Sequence, residues 1–264
     1  DRIHFLSTVF TIDVCAYAVM SNHTHLVLHV SKNQAESLST EDIIQRWHCL
    51  FKGTLLTRLY LSPMSRKDLS EMQIESVRLT AEVWRKRLFD ISWFMRALNE
   101  YIARAANKED DCTGHFWEGR FKSQALLDES ALAACMAYVD LNPVRAKLAK
   151  TPEESGYTSI KYRVQAAKAG KKPKRLMPFM AKPNQEITSS LPFTFVDYLQ
   201  LIDASSRTLQ PNKRGSVEQD LPPILTRLNI ELEQWLNLTT QFERRFKHAA
   251  GRLINLERYS LNQN

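Results

Sequence analysis

The sequence predicts an α/β protein of the α+β kind, in which a mainly antiparallel sheet is flanked by helices and followed by a small, mainly helical module. Two apolar runs rich in β-branched residues, 14–20 and 25–30, flank a short turn-like dipeptide and indicate a β-hairpin. Residues 129–141 are strong helix formers, and helical patterns return after residue 190. Together these three observations indicate sheet and helix in one chain.

A long helical region follows the hairpin. Residues 73–86 and 91–107 each carry apolar side chains at helical spacing. We expect each stripe to pack into the core, and the polar faces to be solvated.

The second strand of the hairpin carries a possible metal-binding pair. Residues two apart in a strand share a face, so His23 and His25 should project together, with His29 further along, while Leu26 and Leu28 point into the opposite layer. Two imidazoles a few ångströms apart form a chelating pair. A His-x-His pattern alone is more often an ordinary strand whose histidines are satisfied by neighbours, so its context must decide.

The context is a tyrosine on the following helix. Asp128 can cap this helix, and Pro143 should end or kink it. Helical spacing puts Tyr138 and Asn142 on one face. A phenol, with a usual pKa of about 10, needs activation to act as a nucleophile. Asn142 could bring an amide oxygen to a metal held by the two histidines, and such a donor set suits Mg²⁺ or Mn²⁺ acting as a Lewis acid. The alternative for Tyr138 is a core aromatic on an amphipathic helix.

Three blocks carry a family resemblance, and they are Ala16-Tyr17-Ala18-Val19-Met20-Ser21-Asn22-His23-Thr24-His25-Leu26, Gly114-His115-Phe116-Trp117-Glu118-Gly119-Arg120-Phe121-Lys122-Ser123 and Tyr138-Val139-Asp140-Leu141-Asn142-Pro143-Val144-Arg145-Ala146. In this order they resemble the REP-associated tyrosine transposases, within the single-tyrosine HUH transposase family. The resemblance implies an antiparallel HUH-type sheet, a metal site at His23, His25 and Asn142, and Tyr138 as the nucleophile. The implied reaction cleaves single-stranded DNA at REP-type hairpins, leaving a 5′-phosphotyrosine link and a free 3′-OH.

The chain departs from the family pattern in two places. Thr24 stands between the histidines where a bulky hydrophobe is usual, which changes packing below the strand and leaves the imidazole directions as they are. The chain opens at Asp1, whereas relatives place another strand and a helix start before this point. We therefore expect an N-terminal strand of the sheet to be missing from this sequence.

Composition fits a nucleic-acid partner. The 264 residues are 44% hydrophobic, which is ordinary for a globular protein, and the net charge of +7 and pI of about 9.2 suit a polyanion. Basic proteins without nucleic-acid ligands are also common. Four cysteines without a CxxC pair argue against a zinc ribbon or disulfide scaffold and favour a reducing cytoplasm. The sequence indicates no membrane span and no required protein partner, and the resemblance favours a monomer over a dimer.

Several residues are predicted to contact DNA. Residues 116–127 alternate aromatic and charged side chains, which predicts a strand. On its charged face, Arg120 and Lys122 can reach phosphates, while Trp117 could stack on an unpaired base or fill the core. Arg145 could hold the scissile strand or pair with a carboxylate near the end of the helix.

The expected segments are a catalytic domain, a basic linker and a helical module, over residues 1–150, 151–190 and 191–264. Residues 161–182 contain eight Lys or Arg residues and no acid, among them Lys171 and Lys172. We interpret this stretch as a basic loop that strengthens DNA binding, with a solvated linker as the alternative. Helices over 195–202 and 225–250 would position DNA or support the scaffold.

Three other functions compete with the transposase. One is a catalytically silent, domesticated DNA- or RNA-binding protein. Another is a nickase resembling a relaxase or replication initiator, which uses the same chemistry without joining strands. The third is a metal hydrolase in which the histidines activate water, although no general base is evident beside the pair.

Overall fold

The computed structural model describes residues 1–181, 189–208, 223–228, 230–246 and 248–262. Two compact units divide the chain: unit 1 comprises residues 1–14 and 28–121, and unit 2 comprises residues 15–27 and 122–264. The predicted mixture of helix and sheet is present, with helix dominant and a small antiparallel sheet.

The predicted hairpin is confirmed. Strand β1 (Ile12–Val19) pairs with strand β2 (Thr24–Val30) in a two-stranded antiparallel sheet. The Met20 N–H donates to the His23 carbonyl at 2.9 Å, which closes the turn between the strands. Strand β1 begins two residues before the predicted run 14–20 and ends one residue earlier, and β2 begins one residue before the predicted run 25–30.

The predicted opposite face of β2 is not the more buried one. Val27, which shares the face of His25, is 2% exposed and belongs to the core of unit 2. Leu26 and Leu28 are only half-buried. The face that carries the histidines is therefore buried at Val27, although His23 and His29 on the same face are exposed, and alternation alone could not tell which side of the strand would meet the core.

Unit 1 is built from seven helices among its described residues. They are α1 (Arg2–Val9), α2 (Lys32–Ser37), α3 (Thr40–His48), α4 (Leu55–Leu61), α5 (Pro63–Arg66), α6 (Glu71–Leu88) and α7 (Ile91–Glu109). The last two confirm the helices predicted over 73–86 and 91–107. In α6, Val77, Ala81 and Trp84 are buried at helical spacing, as the apolar stripe predicts.

Unit 2 contains the helix of Tyr138. Its described elements are β3 (Ala125–Leu126), α8 (Glu129–Asp140), α9 (Asn142–Arg145), a 3₁₀ turn (Pro152–Glu154), α10 (Ser159–Lys168), α11 (Phe195–Thr208), α12 (Pro223–Leu228), α13 (Leu232–Arg245), β4 (Ala249–Ala250) and α14 (Leu253–Leu261). Strands β3 and β4 pair in parallel over two residues each. Helix α8 ends before Pro143, which lies in the first turn of α9, as predicted.

Asp128 joins the N-termini of two helices. Its Oδ1 accepts from the Ala131 N–H at 2.9 Å, which is the predicted cap of α8. Its Oδ2 accepts from the Arg252 N–H at 2.6 Å and from the Asn255 side-chain amide at 3.1 Å, at the start of α14. Burial raises the pKa of this carboxyl, but the three hydrogen bonds and the charge of Arg252 outweigh burial and hold the pKa below its usual value.

We expect Asp128→Ala to lower the free energy of unfolding by about 2 kcal/mol, because it removes the acceptor from two helix N-termini at once. Asp90→Ala is the matched control. Asp90 caps only α7, through the N–H groups of Ser92 and Trp93, and its loss should cost about 1 kcal/mol. Urea unfolding of the two variants measures the difference.

The lowered pKa of Asp128 predicts that the stability of the protein changes with pH in the acid range. Because the folded pKa of Asp128 is depressed, its stabilisation is fully present above the unfolded value of about 3.9 and is lost as the pH falls through the folded pKa. The stability difference between the wild type and Asp128→Asn should therefore shrink between about pH 6 and pH 2. A difference that grows on acidification would contradict this assignment.

The strand predicted over residues 116–127 is wrong except for β3. Residues 116–124 form no regular strand. A period-two pattern makes a strand where one face is buried. Here Glu118 and Arg120 from one set and Phe121 from the other are all exposed, so neither face has a layer to pack on.

The loop predicted over residues 161–182 is also only partly right, because α10 occupies Ser159–Lys168. Ile160 and Arg163 are at most 1% exposed, so this basic helix packs into unit 2.

The predicted boundaries at 150 and 190 do not coincide with the limits of the two compact units. The predicted helix over 225–250 is split into α12 and α13, with β4 at its end.

Candidate active site

The ring of Tyr138 lies at the centre of a cluster in unit 2, on the last turn of α8. The ring of His25 meets it edge to face, with 5.7 Å between ring centroids. Phe242 of α13 lies 6.0 Å from it. The guanidinium carbon of Arg145 is 3.6 Å from the ring centre. Tyr138 is half-buried between a histidine and an arginine, which distinguishes it from a purely apolar core aromatic.

His23 and His25 stand close enough to share one metal ion. Their ring centroids are 4.8 Å apart, with the planes at 83°. For a metal-to-nitrogen distance of about 2.1 Å, two imidazoles at adjacent coordination positions have centroids roughly 4.6 to 5.3 Å apart. Asn22 Oδ1 lies 2.6 Å from His23 Nδ1. An amide oxygen only accepts, so this contact favours the tautomer with the proton on Nδ1, in which Nε2 can face a metal.

Asn142, the predicted third ligand, opens α9 one helical turn after Tyr138 and is 8% exposed. Within the described part of the chain, no cluster of three or more His, Cys, Asp or Glu side chains could hold a metal. An ion at the histidine pair would be held by the two neutral imidazoles and by oxygens from phosphate or water, and the Asn142 amide stays a predicted third ligand. Such a set fits Mg²⁺ or Mn²⁺.

The predicted DNA-contacting residues of unit 1 lie after α7. The Trp117 indole N–H donates to the Asn99 carbonyl of α7 at 2.9 Å, and its ring lies 4.9 Å from that of Phe116. Trp117 is half-buried, so it is anchored while part of its ring stays accessible. Arg120 is exposed on the same irregular segment.

The predicted DNA-contacting lysines of unit 2 are all exposed. Lys122 precedes β3, and Lys171 and Lys172 follow α10. Solvated lysines of this kind suit electrostatic contact with phosphates and do not select a sequence.

Arg145 is tied to two helices as well as to the tyrosine ring. Its Nη2 donates to the carbonyl of Tyr138 at 2.9 Å, and its Nη1 donates to the carbonyl of Thr239 on α13 at 2.6 Å. Sequence spacing predicts its nearness to Tyr138. The link to α13 spans a chain separation of 94 residues, which no local pattern reveals.

Sequence reasoning missed Asp140, which is fully buried two residues after Tyr138. Its carboxylate accepts from the Ser159 hydroxyl at 2.5 Å, the Ile160 N–H at 3.1 Å and the Tyr198 hydroxyl at 2.6 Å. Burial raises the pKa of Asp140 against these hydrogen bonds and the charge of Arg163. Asp140 thereby fastens α8 to α10 and α11. The available signal was an acid within an otherwise apolar helix, because such an acid must find partners.

Comparison of the chain with protein-family models, with curated proteins and with solved structures found no match. Among the described residues, no helix has both the length and the apolar character required to cross a membrane.

Proposed function

We propose that this protein is a transposase that cleaves and rejoins single-stranded DNA through a covalent link between Tyr138 and a 5′-phosphate. One observation carries the proposal: the ring of His25 lies 5.7 Å from that of Tyr138 and 4.8 Å from that of His23. A candidate nucleophile and a candidate metal pair thus occupy one place in unit 2.

The reaction would exchange one phosphodiester for another. The Tyr138 oxygen attacks the phosphorus, the bond from phosphorus to the 3′-oxygen breaks, and the 3′-oxygen leaves with a proton as a free hydroxyl. His23, His25 and Asn142 would hold the Mg²⁺ or Mn²⁺ ion. When bound, that ion supplies Lewis-acid polarisation of a phosphate oxygen. Attack of a 3′-OH on the tyrosyl phosphate reverses the step without an external energy source.

The substrate class in this proposal is extended or hairpin-bearing single-stranded DNA. Arg120, Lys122, Lys171 and Lys172 supply exposed positive charge, and the anchored ring of Trp117 could stack on an unpaired base. The choice of REP-type hairpins rests on the resemblance of the three sequence blocks.

The proposal also includes the HUH-type fold, with β1 and β2 as its histidine-bearing part, and a monomer in the cytoplasm. The four cysteines, Cys15, Cys49, Cys112 and Cys135, form no CxxC pair, which supports a reducing compartment. The presence of the hairpin and of the α8 helix in their expected order supports the fold assignment.

The test is metal-dependent formation of a protein–DNA adduct that resists denaturation. The protein is incubated with an end-labelled hairpin-bearing single strand and Mn²⁺, Mg²⁺ or EDTA. We expect an adduct only with a metal ion, and a yield about 100-fold lower in His25→Ala because a ligand of the Lewis acid is lost. His29→Ala is the matched control, since His29 lies on the same strand but pairs with Asp13 at 3.3 Å.

An adduct of equal yield in EDTA, or one that His25→Ala leaves unchanged, would rule out the histidine-bound ion. DNA binding without any adduct across varied hairpins would favour a silent binding protein. Cleavage without rejoining would favour the nickase.

A further inference from the structure

The guanidinium of Arg145 is committed to protein contacts on three sides. Its carbon lies 3.6 Å from the centre of the Tyr138 ring, which is the geometry of a close cation–π contact. Its two terminal nitrogens donate to carbonyls of α8 and α13, at Tyr138 and Thr239. The planar fork of an arginine is suited to two such bonds at once, and a lysine cannot reproduce them.

We propose that Arg145 is a positioning residue that clamps the Tyr138 ring between α8 and α13, and that helix α13 thereby forms part of the active site. The inference rests on the proposed function, because it assigns a role within the same reaction. It replaces contact with the scissile strand as the main task of Arg145. It also assigns the C-terminal module a role, which is to hold Tyr138 in place through α13.

The surroundings of Tyr138 support a clamp. Phe242, 2% exposed, lies 6.0 Å from the tyrosine ring, so α13 contributes a packed aromatic as well as the Thr239 carbonyl. His25 lies on β2, 5.7 Å away. With Arg145, these groups contact the Tyr138 ring from β2, α9 and α13. A nucleophile must be held in line with the bond that it attacks, and a misplacement of about 1 Å can cost about 100-fold in rate.

A clamp and a phosphate contact predict different measurements. If Arg145 held DNA, its loss would raise the Kd and reduce the slope of log affinity against log salt by about 0.7 for a single strand. If it holds Tyr138, its loss slows covalent attack on bound DNA and leaves the Kd as it was. A phosphate contact is therefore detected as a change in affinity, and a clamp is detected as a change in the adduct rate at saturating DNA.

The experiment compares the wild type, Arg145→Gln, Arg145→Lys and Arg104→Gln. Arg104 is the charge-matched control, because it lies exposed on α7 beside Glu100. Affinity for a hairpin-bearing single strand is measured by anisotropy in EDTA over a range of salt. The adduct rate is then measured at saturating DNA with Mn²⁺, and thermal unfolding confirms that each variant is folded.

We expect Arg145→Gln to form the adduct about 10- to 100-fold more slowly, with a Kd within about twofold of the wild type. The adduct rate of Arg145→Lys should lie between those of the wild type and Arg145→Gln, since lysine keeps a cation over the ring but loses the two hydrogen bonds of the guanidinium. A raised Kd and a shallower salt slope, with the wild-type rate at saturation, would overturn the proposal.

A second readout does not depend on catalysis. In protein labelled with [¹³C]tyrosine, the Tyr138 resonance is identified by its absence from Tyr138→Phe. We expect it to shift or broaden in Arg145→Gln and to stay in place in Arg104→Gln. If the wild type makes no adduct, the transposase proposal fails, and this spectrum still decides the clamp: an unchanged Tyr138 resonance contradicts it.

Discussion

Replacing Tyr138 with phenylalanine is expected to abolish the covalent DNA adduct and leave the fold intact. The change removes the only atom that the proposed reaction joins to phosphorus, so the adduct yield should fall by about 1,000-fold or more. Phenylalanine keeps the ring that meets His25, Arg145 and Phe242. The free energy of unfolding should therefore change by no more than about 1.5 kcal/mol, the contribution of one hydroxyl hydrogen bond.

The matched control is Tyr157→Phe. Tyr157 is 82% exposed, and it takes no part in the ring contacts described for Tyr138. Both variants are assayed on end-labelled single-stranded DNA with Mn²⁺, on a denaturing gel. Cleavage that persists in Tyr138→Phe and ends in a free 5′-phosphate would identify water as the nucleophile and replace the transposase with a metal hydrolase.

The largest effect on stability is expected from Asp140→Ala. The substitution leaves the buried Ile160 N–H and Tyr198 hydroxyl without their acceptor, while the Ser159 hydroxyl keeps only its longer hydrogen bond to the Tyr17 carbonyl at 3.3 Å. We expect the free energy of unfolding to fall by about 3 to 5 kcal/mol. Asp140→Asn keeps an acceptor oxygen and should lose less. Chemical denaturation, followed by circular dichroism, measures both.

A double-mutant cycle shows whether this loss comes from unpaired donors. Tyr198→Phe alone removes one donor and should cost about 1 kcal/mol, whereas in the Asp140→Ala background it removes an orphaned hydroxyl and should cost nothing or restore stability. Strictly additive losses would mean that Asp140 and Tyr198 do not act as a hydrogen-bonded pair.

Local patterns predicted the elements that carry the candidate site. Apolar runs rich in β-branched residues on both sides of the turn-like Ser21-Asn22 indicated the hairpin, and helix formers between Asp128 and Pro143 indicated α8 with its cap. These two predictions succeed because a hairpin and a capped helix are specified by neighbouring residues. The His pair and Tyr138 could be selected for the same reason, since their spacing within each element fixes which side chains share a face.

Features that depend on distant partners could not be predicted in this way. Alternation over residues 116–124 gave no strand, because Glu118, Arg120 and Phe121 are exposed and have no layer to pack on. The basic stretch after residue 158 became helix α10, because Ile160 and Arg163 find a core to enter. The stacking of Arg145 on Tyr138 also requires Thr239, 94 residues away from the arginine. Each outcome is decided by tertiary packing and not by local propensity.

The most direct measurement is to identify the residue in the covalent adduct. The protein is incubated with a hairpin-bearing single strand and Mn²⁺, the complex is digested with nuclease and protease, and the peptide that retains a nucleotide is sequenced by mass spectrometry. The account predicts a single modified peptide, with a 5′-phosphate ester on Tyr138 and a free 3′-OH on the released strand. A nucleotide on any other residue, or cleavage that leaves no modified peptide, would contradict it.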